Sequence, residues 1–246
     1  LLSSINDFLA ANRKRQIRDY SAGLEKVGGF QKLGSGTLGG KGRGLAFFYS
    51  KMPDLGIAER FPEIDIVVPK SMVVATDVFE EFVERNDLGK FASDDYDDEE
   101  VKSAFLEGRF KEEHMAVLSR ILEIVDWPLA VRSSSLLEDS LHQPFAGVYE
   151  THFLPNDHPD DKVRTKQLAD AVKLVFASTY SKKAKAYVAA TPNSIEEERM
   201  AVVIQELVGS QHQGLFYPLI SGVARSRNHY PVAPMKAEDG VAAIAL

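Results

Sequence analysis

The chain has 246 residues, 44% of them apolar and 26% charged, enough for one large domain or two lobes with a full core. A net charge of −7 argues against general nucleic-acid binding, and the absence of cysteine excludes disulfides, zinc–thiolate sites and thiol catalysis while suiting a reducing cytoplasm. No apolar run reaches the roughly 18 to 20 residues of a membrane span, and the N-terminal segment places its basic cluster after its apolar residues, the reverse of a signal peptide.

Residues 1–26 carry Ile5, Phe8, Leu9, Ile17 and Leu24 on a loosely helical period and read as an amphipathic connector, residues 1–27, at the edge of a domain that fills 28–246. A glycine-rich loop follows at 34–44, and the apolar stretch 45–51 begins a helix that stops near Pro53. Strands are expected at 64–68 and 71–75, separated by Pro69. Asp77 and Glu80 have the spacing of a capping box for a helix over 78–85. Helices are expected over 99–108 and 111–125, the second with a core row of Met115, Leu118, Ile121, Leu122 and Val125. Trp127, before Pro128, is read as packing. Strands at 128–133 and 147–154 precede one long helical block, 161–190, which Pro192 and Asn193 end. Strands then fall at 200–208 and 222–226, and another begins at Val241, so that the sequence stops inside an apolar run and is expected to continue. Mixed helices and strands, with neighbouring strands after the long helix, favour a two-lobed α+β or α/β fold over a regularly alternating sheet. The acidic run 94–100 and the basic run 13–18 read as solvated surface and carry no assigned function.

Two segments carry chemistry. In the first, Gly34 to Gly39 satisfy the dinucleotide spacing G-x-G-x-x-G, but the preceding GGFQKL makes a poor buried strand and the nearest acid, Asp54, sits in a turn. The Walker pattern fails too, since Ser35 stands where glycine is needed and Gly42 follows Lys41 in place of Ser or Thr. What is left is a glycine-rich entry to a helix with Lys41 near its positive end, suited to phosphate oxygens, or else a flexible connector with an exposed lysine. In the second segment, about ninety residues downstream, a short apolar run delivers Arg132 into Ser133, Ser134 and Ser135, followed by the turn Phe145-Ala146-Gly147 and by Glu150 and Thr151. A guanidinium facing a glycine turn suits an anion such as phosphate. Arg132 is alternatively a structural partner of Glu138 or Asp139, which read as loop organisers.

Together, GGKGRGLA and AVRSSSLLEDSLHQPFAGVYET resemble the nucleotide-binding domain of the phosphoenolpyruvate synthase and pyruvate phosphate dikinase family. Gly39, Gly40, Lys41, Gly42 and Leu45 match its first motif. Val131, Arg132, Ser133, Ser134, Glu138, Asp139, Phe145, Ala146, Gly147, Glu150 and Thr151 match its second. Residues 202–208 resemble its hinge strand and 221–228 the strand after it.

The resemblance implies an α+β ATP-grasp fold that clamps ATP between two lobes, C-terminally incomplete here, with Lys41 and Arg132 on the phosphates beside the Gly39–Gly40 turn. It also implies a flap at Ala146 and Gly147, a hinge with Gln205 and Leu207 along adenine, and Arg227 as a further phosphate contact. The cofactors implied are ATP and Mg2+, with the metal ligands beyond residue 246. A histidine on a separate domain would accept the phosphoryl group, since none of His114, His142, His152, His158, His212 and His229 has the family's phosphohistidine setting, and pyruvate or another small molecule would receive it. The same module serves other acceptors in glucan-water dikinases and antibiotic phosphotransferases, and a nucleotide sensor without turnover is a third reading. Arg43, and Leu136 with Leu137, depart from the family pattern and leave the substrate open.

Overall fold

The computed structural model describes residues 30–93, 95–135, 147–191 and 194–245. Two compact units divide between Glu206 and Leu207. The N-terminal connector lies outside the described residues.

The first unit is built on a five-stranded sheet of order β1-β2-β5-β3-β4, comprising β1 (Phe30–Leu33), β2 (Ser71–Val74), β3 (Leu129–Ser135), β4 (Thr151–Leu154) and β5 (Met200–Glu206). β1 and β2 run parallel, joined by helix α1 (Gly39–Lys51), and β5 is antiparallel to both β2 and β3. Side-chain alternation along these strands sorts the core into two parts. Met72, Val74, Leu129, Val131, Met200, Val202 and Ile204 face a large cluster. That cluster is completed by α2 (Thr76–Arg85), α3 (Asp98–Glu107), α4 (Glu112–Ile124), α5 (Asp161–Ser178) and α6 (Lys182–Ala189), and its rings include Phe79, Phe82, Phe105 and Phe176. Val73, Ala201 and Val203 face the other way and meet α1 through Phe30, Leu38 and Ala46.

Several expectations are corrected. The last four residues of GGFQKL do form a strand: Phe30 and Leu33 are buried at its ends, and Phe30 packs edge-on against Tyr49 of α1 with ring centroids 5.3 Å apart. Residues 64–68 form none. The Val68 and Pro69 carbonyls accept hydrogen bonds from the Tyr49 hydroxyl (3.1 and 2.6 Å), and Ile64, Ile66 and Val67 stay exposed. The capping box is not made. α2 opens at Ala75–Thr76, the Asp77 carboxylate turns to the glycine loop, and Glu80 pairs with Arg199. The block 161–190 is two helices, because Ser181 accepts a hydrogen bond from the Ala184 N–H (3.2 Å) and caps a new helix while Thr179 and Tyr180 bury between them. The strand expected from 147 starts only at Thr151, since Gly147 has φ +73° in a turn. Trp127 is 45% exposed. The α4 row behaves as core: Leu118, Ile121, Leu122 and Val125 are buried, with Met115 partly so.

The acidic run also has structural work. Asp98, Glu99 and Glu100 fill the first turn of α3, where negative charge offsets unpaired backbone N–H groups, and the Asp98 carboxylate accepts from the Lys182 N–H that opens α6 (2.8 Å).

The second unit holds two hairpins. β6 (Ser210–His212) and β7 (Leu215–Tyr217), unforeseen in the sequence, close through Gln213 and Gly214, both with positive φ as tight hairpin turns require. β8 (Ser221–Arg225) pairs with β9 (Val241–Ala245). No helix among the described residues is long and apolar enough to cross a membrane.

Candidate functional site

The two motif segments meet at one end of the sheet. The expected glycine loop is half loop and half helix, since α1 already begins at Gly39. Gly39 has φ +66°, and a Cβ there would overlap the Ser134 carbonyl oxygen, so the close approach of this turn to β3 requires glycine. Ser134 is fully buried, and its hydroxyl donates to the Leu38 carbonyl (2.8 Å) and accepts from the Gly42 N–H (2.9 Å). Gly42 is also tight, its Cβ position lying 3.0 Å from Leu38 Cβ and 3.2 Å from Val73 Cγ1.

The loop ahead of the helix is held by α2. Asp77 Oδ2 accepts from both the N–H (2.6 Å) and the hydroxyl (2.7 Å) of Ser35. Thr37 and Thr76 exchange backbone and hydroxyl bonds near 3.1 Å. Burial by itself raises the Asp77 pKa, but the hydrogen bonds from Ser35, Gly36 and Val78 outweigh it and hold the carboxyl below its ordinary range. The sequence offered Asp77 only as a cap; its tie to Ser35 crosses 42 residues and no local pattern announces it.

Lys41 sits half-buried in the first turn of α1, where helical N–H groups lack intrahelical acceptors. Arg132, half-buried, lies two residues before Ser134 and so on the same sheet face, the one α1 packs against. By register, Thr151 stands beside Arg132, and Phe153, Ala130 and Gln205 form a row across that face. Thr151 and Phe153 are exposed, so toward β4 this face is uncovered. The Gln205 side chain donates to the Ser71 hydroxyl (3.1 Å), which fixes it at the β2–β5 border.

Behind β4, Lys183 Nζ donates to the Gly147 carbonyl (2.5 Å), and Glu150 meets Lys102 (3.5 Å) and His152 (3.0 Å). Phe145, Ala146, Glu138 and Asp139 fall outside the described residues. Leu207 and Arg227 belong to the second unit, where Arg227 is exposed.

A family model described as pyruvate phosphate dikinase, AMP/ATP-binding domain, matches residues 35–245. The chain belongs to this family. A phosphotransferase of Bacillus subtilis (strain 168), YvkC, described as uncharacterized, is 29% identical over 154 residues, which cover 61% of this chain and 17% of that protein. The chain therefore spans a small part of that relative's length. The fold is a mixed α/β one consistent with nucleotide binding, and the family match supports ATP binding.

Among the described residues, one trio of metal-capable side chains gathers: Glu81, Glu113 and His114. It does not suit a nucleotide-bound magnesium ion. The Lys111 ammonium already pairs with Glu81, magnesium prefers oxygen ligands to the His114 imidazole, and α2 and α4 pack on the face of the sheet opposite α1. A groove of about 580 Å³ between α4 and α5, lined by Phe110, Met115 and Lys173 among others, is likewise on the helical side and holds no motif residue.

Proposed function

We propose that this chain is the ATP-binding part of a dikinase of the phosphoenolpyruvate synthase type, with an ATP-grasp arrangement in which Lys41 and Arg132 hold the nucleotide phosphates. The observation that carries the reading is the contact between the two motifs, in which Gly39 and Gly42 rest against Ser134 within a member of the dikinase nucleotide-binding family. In this reading the amides at the start of α1 and the Lys41 ammonium cradle phosphate oxygens, and the Arg132 fork neutralises charge on the transferring group. Gly40, Ala146 and Gly147 approach the phosphates through backbone, Gln205 and Leu207 flank the base, and Arg227 adds a phosphate contact. The phosphoryl group passes to a histidine outside this chain and then to pyruvate or another small acceptor. Mg2+ assists ATP in this reading; no step is assigned to the Glu81 trio.

The test is ATP binding by calorimetry, with adenosine as the phosphate-free comparison, for the wild type and two Arg132 variants. Arg132→Ala is expected to weaken the phosphate-dependent part of binding or transfer by about 2–4 kcal/mol, and Arg132→Lys to restore part of it, because a point charge lacks the fork. Equal affinity of the wild type for ATP and adenosine refutes the phosphate site.

A further inference from the structure

We infer that Ser134 is a positioning residue for the nucleotide site: its hydroxyl locks the first turn of α1 onto β3, so that the turn's amides and the Arg132 guanidinium address the same polyphosphate. The inference rests on the ATP-site reading and adds to it a residue that touches no ligand.

A serine hydroxyl has one hydrogen to give and two lone pairs to receive. Ser134 is fully buried, and it spends its donor on Leu38 O and a lone pair on Gly42 N–H, 96 and 92 residues away. These two groups are the ends of the opening i,i+4 pair of α1, so one hydroxyl ties both ends of the helix's first turn sideways to the sheet. The amides of Gly39 and Gly40 belong to the same turn and precede the first intrahelical acceptor, so holding this turn holds the groups proposed to meet an anionic ligand. The contact also fixes distance. The Ser134 carbonyl occupies the space a side chain at residue 39 would need, and Arg132 lies two positions earlier on the same strand face. A rigid second layer of this kind holds ligand-binding groups to within fractions of an ångström.

Packing alone does not explain a hydroxyl here, because the neighbouring layer is made of Leu38, Ala46 and Val73. Nor is the hydroxyl needed for folding. Without it, Leu38 O and Gly42 N–H can satisfy each other within the helix, so no buried polar group is orphaned. Ser133 supplies the control: it is equally buried, one residue away, and points to the opposite face of the sheet.

The experiment compares wild-type protein with Ser134→Ala and Ser133→Ala, measuring calorimetric affinity for ATP and for adenosine beside the thermal unfolding midpoint without ligand. Ser134→Ala is expected to weaken ATP about tenfold, to change adenosine less than about twofold, and to unfold within a few degrees of the wild type. Ser133→Ala is expected to bind ATP as the wild type does. Unchanged ATP affinity in Ser134→Ala overturns the inference, and so does equal loss of ATP and adenosine, or equal loss in both variants, since each marks a merely structural serine. Wild-type protein that does not discriminate ATP from adenosine fails the ATP-site reading itself, and that outcome is read before any variant is compared.

Discussion

The two faces of the five-stranded sheet are held by different forces. On the helical face, rings do the work: Phe79, Phe82, Phe105, Phe110, Phe176 and Tyr180 form a chain of contacts with centroids between 4.6 and 6.2 Å. Each buried aromatic there removes a large apolar area from water, roughly 1.5–3 kcal/mol apiece. On the α1 face the buried set shrinks to Phe30, Leu38, Ala46, Val73, Ala201 and Val203, and much of the attachment is hydrogen bonds and glycine contacts. The thick side keeps the unit folded, and the thin side presents backbone at short range to whatever lies beyond it. On the proposed reading, stability and chemistry are divided between the two sides of one sheet.

Three substitutions test that division. The largest effect is expected from Phe176→Ala, fully buried among Phe79, Phe82 and Phe110, which should cost about 3–5 kcal/mol in chemical denaturation while leaving ATP affinity per folded molecule unchanged. Gly39→Ala comes next. The left-handed backbone and the overlap with Ser134 should cost about 1–3 kcal/mol of stability and abolish ATP binding in calorimetry, whereas Gly44→Ala, inside the helix with open space around it, should leave ATP binding unchanged and add about 0.5–1 kcal/mol of stability. If Gly39→Ala binds ATP normally, the thin face is not the nucleotide face. The smallest effect belongs to Asp77→Asn, at about 1 kcal/mol, because its hydrogen bonds to Ser35 are partly exposed. Since folding lowers the Asp77 pKa, its contribution is complete above the unfolded carboxylate value and fades as pH falls through the lower folded value. The gap between wild type and Asp77→Asn in denaturant midpoint should therefore close in acid and stay constant through neutrality.

What the sequence made legible follows the same division. Periodic apolar rows such as that of α4 are local signals, and that row gave the bounds of α4 to within a residue. The glycine and arginine segments were legible as the motifs of a family, because their residues stand in its order and spacing. Illegible were features decided by distant partners. β1 reads as weak because its Gln31 and Lys32 interrupt the apolar pattern, yet parallel pairing with β2 holds it. The 64–68 run is β-branched enough to read as a strand, yet Tyr49 takes its terminal carbonyls. The break at Ser181 was hidden by a helical period that continues on both sides of it.

The strand order has a consequence for how the chain comes together during synthesis. β5 lies at the middle of the sheet but is the last of its strands to be made, and its pairing with β2 joins residues 134 apart, Ser71 and Gln205. Until it emerges, β1–β2 and β3–β4 are two separate ribbons, each with an unsatisfied edge. Closing the sheet is thus one late event of high contact order, which joins both halves and, in the same step, brings the α1 turn and Arg132 onto one surface. A nascent chain holding both motifs but not yet 200–206 carries the residues proposed to hold phosphate on two ribbons that no strand pairing joins, with the Ser134 contact to α1 as a direct link between them.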